Sequence, residues 1–172
     1  MINSEGKVIL KKISVNWIKM SLAVAIAIEL AILLNLEFAI SAGIIAILTI
    51  QPTKKETIST ALGRLIAFAI ALAIAFVCFS AFGVTRSGFL IYIVLYIFVC
   101  LLFKWNNAIT INSVLVSHFV MMGVMDISQI ANEIMIFVIG VGIGIGANLH
   151  LHKKVDYIEE LKNATDEQIK KI

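Results

Sequence analysis

Proline and cysteine are almost missing from this chain: one proline and two cysteines stand in 172 residues. The two cysteines, Cys78 and Cys100, lie far apart in apolar stretches. They form neither a disulfide framework nor a metal-binding spacing, and they read as small apolar fillers. Histidine is scarce as well, with three residues, and no pair of them has a metal-ligand spacing on a helix. No Ser, His and acid set is apparent from spacing. These absences leave no sign of an enzyme, a metal or a cofactor. The one pattern that resembles a nucleotide loop, Gly142-Ile-Gly144-Ile-Gly146, sits inside an apolar run with no strand before it. It reads instead as small-residue helix packing, with Gly140 and Gly144 four apart and Gly142 and Gly146 four apart.

Polar residues are too few to cover a core. Apolar residues make up 60% of the chain and its mean hydropathy is +1.01, against about 45–50% apolar in an ordinary soluble domain. Lipid is therefore the expected solvent. A membrane span needs about 20 apolar residues. Six runs qualify as span candidates: residues 20–36, 38–50, 62–82, 89–103, 108–125 and 130–149. The second is short. At about 1.5 Å per residue it covers roughly 20 Å of a hydrocarbon layer about 30 Å thick. It stops at Gln51-Pro52, because the residue before a proline is pushed out of the helical region. The first apolar run is too long for a cleavable signal peptide and is followed at once by another span.

Charge sides with this count. Of fourteen Lys and Arg residues, all but Arg86 fall on one side of a six-span topology. The positive-inside rule makes that side cytoplasmic and places both termini there. The expectation is an all-α, six-helix polytopic transmembrane bundle in the cell membrane. Residues 1–152 form the membrane domain, including an N-terminal cytoplasmic segment at 1–19. Residues 153–172 form a short amphipathic cytoplasmic helix with Val155, Ile158 and Leu161 on one face, and Thr165 with Gln168 opens its last turn as a capping box. The pI near 8.9 then reflects topology and gives no sign of nucleic-acid binding.

Three features carry chemistry. Glu29 is a carboxylate within an apolar span, so it is expected to face protein or a watery cavity and is a candidate for proton coupling. The fifth span carries a hydroxyl stripe of Thr110, Ser113 and Ser117, with His118 beside it on a face shared with Val114, Met121 and Met125. The third feature is the turn Gln51-Pro52-Thr53, followed by Lys54, Lys55 and Arg64. A helix N-terminus with free N–H groups and nearby cations attracts anions, and short or proline-interrupted spans point to transport sites. Substrate binding is accordingly expected at Gln51, Pro52, Thr53, Arg64, Ser113, Ser117 and His118.

The stretch SAGIIAILTIQPTKKETISTALGRLIAFAIALAIA resembles the core of the aromatic acid exporter and fusaric acid resistance superfamily. The matching features are a small-residue short helix (Ser41, Gly43, Ala46), the Gln51-Pro52-Thr53 turn and the Arg64 that opens the next helix. The SVLVSHF segment with His118 and the glycine-rich last helix ending in Asn148 are similar too. The likeness covers roughly residues 17–150, although Ala67 and Ala71 stand where the family carries glycine. The resemblance implies export of aromatic carboxylates or other organic anions. Its members often have a large C-terminal domain or a second membrane half, so a unit of this size implies a homo-oligomer. Two other classes stay open: an anion channel, since the superfamily resembles plant malate channels, and a non-transporting membrane scaffold.

Overall fold

In the computed structural model the backbone is described for residues 4–51 and 53–169, and side chains for residues 17–51, 53 and 55–149. Six helices and no strand occur among them: α1 Ser4–Leu33, α2 Ile40–Thr49, α3 Lys54–Phe82, α4 Arg86–Leu102, α5 Asn106–Met122 and α6 Ile127–Ile169. Two segments are long and apolar enough to cross a membrane, Lys55–Phe82 and Ile127–Leu149, while α2 and α4 are shorter apolar helices. The expected turns recur as real ones. Thr53 caps α3 by accepting from the Glu56 N–H at 3.2 Å. Thr85 caps α4 by accepting from the Gly88 N–H at 3.3 Å. Each hydroxyl satisfies one of the orphan donors of a first helical turn.

The tail differs from expectation. α6 runs 43 residues without a break, so the backbone from residue 153 extends it and Thr165 lies inside a helix, where it opens nothing. No proline or glycine follows His150 to end the helix. The side chains of Val155, Ile158 and Leu161 lie outside the described residues, as do Pro52 and the first lysines.

The ten-residue α2 is the axis of the bundle. Ser41, Ala42, Gly43, Ile45, Ala46 and Thr49 are buried against α1 on one side and α6 on the other. Small residues make this possible, because without side-chain bulk two backbones approach closely. α1 offers Ala23, Ala27 and Ala31, all essentially inaccessible. A Cβ on Gly140 would stand 2.7 Å from the Ala42 carbonyl, and one on Gly144 2.7 Å from the Ala46 carbonyl. Gly142 and Gly146 are different: nothing lies within 4 Å of a Cβ there. Within the chain the close contact is therefore made by Gly140 and Gly144, while Gly142 and Gly146 face away from it. Residues two apart on a helix point about 200° apart, so only the i, i+4 pairs share a face.

A second cluster joins α3, α4 and α5 through Phe79, Tyr92, Tyr96, Val116 and Phe119. Cys78 and Cys100 are buried in it as free thiols. Large apolar side chains such as Leu22, Ile26, Phe76, Leu90, Phe98 and Val138 point outward. So many large apolar side chains on the outside is the arrangement an apolar solvent favours.

Candidate functional site: two polar ends of a short helix

Because α2 stops early, its last carbonyls need partners. Arg64 and Gln51 supply them. Arg64 Nη1 donates to the Leu48 carbonyl at 2.8 Å and its Nε to the Asn107 carbonyl at 3.0 Å. Gln51 Nε2 donates to the same Leu48 carbonyl at 3.1 Å. One guanidinium thus ties the end of α2 to the start of α5, although Arg64 itself is only 5% exposed. Two of its five N–H donors are used in these bonds, leaving three.

A cavity of about 320 Å³ opens beside that guanidinium, lined by Ser59, Thr60, Gly63 and Arg64 of α3 and by Lys104, Trp105, Asn107 and Ala108 of the α4–α5 connection. Its contents are two cations, an indole and several hydroxyl or amide groups. Lys104 reaches its place through a left-handed backbone, φ 58°, which a non-glycine residue adopts at a cost. A pocket of this size suits a small molecule. A guanidinium with an indole nearby suits one with a carboxylate and a ring.

Deeper at the same end, Lys19 of α1 is buried and donates to Asn148 Oδ1 of α6. Asn148 Nδ2 in turn donates to the Gln51 carbonyl at 3.0 Å and to Thr57 Oγ1. The hydroxyl of Thr57 donates to the Thr53 carbonyl at 2.9 Å. Four elements therefore meet at the Gln51–Thr53 turn, held by neutral amides and one lysine.

The other end of α2 carries a different chemistry. His118 of α5 places Nε2 3.2 Å from Ser41 Oγ and Nδ1 2.8 Å from Glu133 Oε2. His118–Glu133 is the one histidine–carboxylate contact among the described residues. Glu133 is wholly buried and His118 is 4% exposed. Asn132 Nδ2 donates to Glu133 Oε1 at 3.2 Å and to the Glu37 carbonyl at 3.2 Å, while Asn132 Oδ1 accepts the Glu37 N–H at 2.9 Å. The Phe38 ring lies flat on the imidazole, centroids 4.1 Å apart. Phe38 holds φ at 55°, an unusual conformation for an aromatic residue.

Several expectations are relocated by this geometry. Gln51 and Arg64 share the Leu48 carbonyl, Thr53 stands eleven residues before Arg64 at the start of α3, and of the three only Arg64 lines the cavity. Ser113 and Ser117 do not join them. Ser117 Oγ donates to its own helix at the Val114 carbonyl, 2.6 Å away, and Ser113 Oγ is buried without a partner among the described residues. His118 sits eleven residues along α5 from Asn107, about 16 Å at helical rise. It faces α2 and α6, whereas Val114 and Met121, its expected neighbours, are exposed. A Ser–His–acid set, invisible in spacing, is assembled from Ser41, His118 and Glu133 on three helices.

Glu29 does not face inward in the chain. It is exposed, four residues before the end of α1. The buried stripe of α1 is Lys19, Ala23, Ala27 and Ala31, and residue 29 lies about 200° from Ala27. The enclosed acid is Glu133. Its stripe on α6 continues through Phe137, Gly140, Gly144 and Asn148, all buried, so the i, i+4 pattern carried the signal that a hydropathy plot lacks.

Comparison with known proteins agrees with the geometry. A family model described as aromatic acid exporter family member 1 matches residues 11–151. The chain is 33% identical over 129 residues to the uncharacterized protein YqjA of Bacillus subtilis (strain 168), covering 75% of this chain and 40% of that protein. It therefore spans well under half of that relative's length. No solved structure matches it. With its short α2, Arg64-capped turn and glycine-bearing last helix inside the matched region, the chain belongs to the aromatic acid exporter family.

Proposed function

We propose that the chain is the membrane-spanning unit of an exporter for aromatic carboxylates or related organic anions, and that the Arg64 cavity is its cytoplasmic entry site. The observation that carries this reading is the cavity's composition, in which Arg64, Lys104 and Trp105 line one recess. The three unspent donors of Arg64 offer a carboxylate a charge-assisted fork, and Trp105 offers a ring an aromatic face. In this reading all six helices cross or enter the bilayer, and the lysine-rich end faces the cytoplasm with both termini. The membrane is the cell membrane.

Several copies assemble the working transporter. Two outward features support this: the open strip at Gly142 and Gly146, and Glu29, whose carboxylate sits among exposed apolar side chains and needs protein or a headgroup beside it. Glu29 then belongs to a subunit contact or the membrane surface, with no part in proton coupling.

Radiolabelled benzoate flux in everted membrane vesicles tests the site. Hydrogen bonds to a charged group are worth about 1.5–3 kcal/mol, so Arg64→Gln lowers flux roughly ten- to hundredfold, with Arg64→Lys between the two. Full flux in a correctly inserted Arg64→Gln protein would sink the site. Step-like single-channel currents would reassign the chain to a channel mechanism.

A further inference from the structure

The Arg64 cavity leaves the most enclosed carboxylate among the described residues unused. Glu133 has no exposure at all, and its partner His118 is nearly as enclosed. Ionisable groups in membrane-embedded helices are costly, and where retained they commonly serve as ion or proton sites. Both ring nitrogens and both carboxylate oxygens have a protein partner: Ser41 on one ring nitrogen, Glu133 on the other, and Asn132 on the second carboxylate oxygen. We infer that the His118–Glu133 pair is the binding site of the coupling proton, and that Asn132 reports its occupancy to the α1–α2 turn. This rests on the transport reading above and names its counter-ion.

The proton balance is simple. With a neutral imidazole, Nδ1–H donates to the Glu133 carboxylate and Nε2 accepts from the Ser41 hydroxyl, so the pair carries one negative charge. A proton taken up from the outer side adds to Nε2. Both ring N–H groups then donate, Ser41 becomes an acceptor, and the pair is neutral overall. Release of that proton to the cytoplasm restores the first state as one carboxylate anion leaves outward. No other bond is made or broken.

The surroundings suit a reporter. Asn132 clamps both the N–H and the carbonyl of Glu37 while bonding Glu133. The next residue, Phe38, is held at φ 55° with its ring on His118. Backbone strain of this kind persists where neighbours enforce it, and it marks switching segments. A change in charge at the pair alters the pull on Asn132 and thereby the hold on the strained turn. The other charged groups of this end are Glu37, Asp126 and Arg86 at the helix ends and Glu29 on α1. All four side chains are exposed, so none competes for His118.

Ser41 also completes a nucleophile-like triad, but the residue is only 7% exposed and lies beside the Phe38-covered imidazole. That enclosure suits proton storage better than attack on a substrate.

The direct test needs no substrate. Purified full chain in lipid nanodiscs, labelled with ¹⁵N-histidine, is titrated by NMR, and the His118 signal is assigned by its loss in His118→Gln. Histidine ordinarily changes charge between about pH 5 and 8. The expected result is reversible protonation of His118 whose titration curve changes in Glu133→Gln and is restored in Glu133→Asp. A ring that holds one state across that range, or titrates identically in Glu133→Gln, overturns the proposal even if no anion is ever transported.

Where benzoate flux is measurable, Glu133→Gln and Asn132→Ala abolish its stimulation by an outward-acid gradient, while Asn132→Ala still titrates in NMR. Undiminished stimulation in both variants overturns the coupling role and leaves the Arg64 site standing. Covalent capture of Ser41 by a fluorophosphonate overturns it in favour of an acyl-transfer role.

Discussion

The two ends of α2 solve the same problem with opposite means. A ten-residue helix is about 15 Å long, about half the thickness of a hydrocarbon layer, and protein side chains bond both its ends. The Leu48 end uses a permanent cation and amides: Arg64, Gln51, Asn148 and Lys19. The Ser41 end uses a titratable pair, His118 and Glu133. The first end keeps its charge at any physiological pH, since a guanidinium does not deprotonate. The second, in the proposal above, changes charge with one proton. A cavity adjoins the first, whereas the second is closed by Phe38. A fixed charge with an opening suits an anion that must enter, and a switchable charge under a cover suits an ion that sets the cycle.

That contrast breaks most violently at the closed end. His118→Phe leaves the Glu133 carboxylate buried without its partner. Loss of one member of a buried pair costs about 3–5 kcal/mol, so thermal unfolding in detergent drops sharply. The double variant His118→Phe/Glu133→Leu, with no charge left to bury, recovers most of the loss. Equal damage in the single and double variants would show that the pair is not a unit.

A smaller effect is expected where the two ends are joined. Gly144→Ala pushes a methyl against the Ala46 carbonyl and Thr49, whereas Gly142→Ala meets nothing within 4 Å. Overpacking of a tight contact costs about 1–3 kcal/mol. The first variant therefore loses thermal stability and the second does not, unless assembly of copies covers Gly142. Size-exclusion elution of Gly142→Leu separates that case, since a bulky residue on a subunit contact shifts the protein toward smaller species.

The mildest change sharpens the open end. Thr53→Ala removes the cap of α3 and costs about 1 kcal/mol of stability. The Arg64 bonds to Leu48 and Asn107 remain, so benzoate flux per folded molecule stays near that of the unaltered chain. A loss as deep as that of Arg64→Gln would place Thr53 on the substrate path.

The two ends were unequally legible in the sequence. The open end is local: Gln51, Pro52, Thr53 and Arg64 lie within fourteen positions, and proline, cap and cation each have a direct physical reading. The helix ends follow hydropathy closely at α2, α4 and α5, whereas α1, α3 and α6 continue as helix well beyond the apolar run into polar sequence. The closed end is made by residues 41, 118 and 133 from three helices, and no period links them. A stripe could still have ranked the acids. Glu133 continues a face of glycines and Asn148, and Glu29 lies opposite a face of alanines, so packing stripes were better guides to burial than position within an apolar run. Gly142 and Gly146 lie about 200° around α6 from Gly140 and Gly144, so one neighbouring helix cannot cover all four.

Fluorescence of Trp105 during benzoate titration tests the division of labour most directly. The probe sits in the cavity, and the other tryptophan, Trp17, can be replaced by Phe. The account predicts saturable quenching that is retained in Glu133→Gln and lost in Arg64→Gln. Quenching that survives Arg64→Gln unchanged, or that disappears in Glu133→Gln instead, would contradict it.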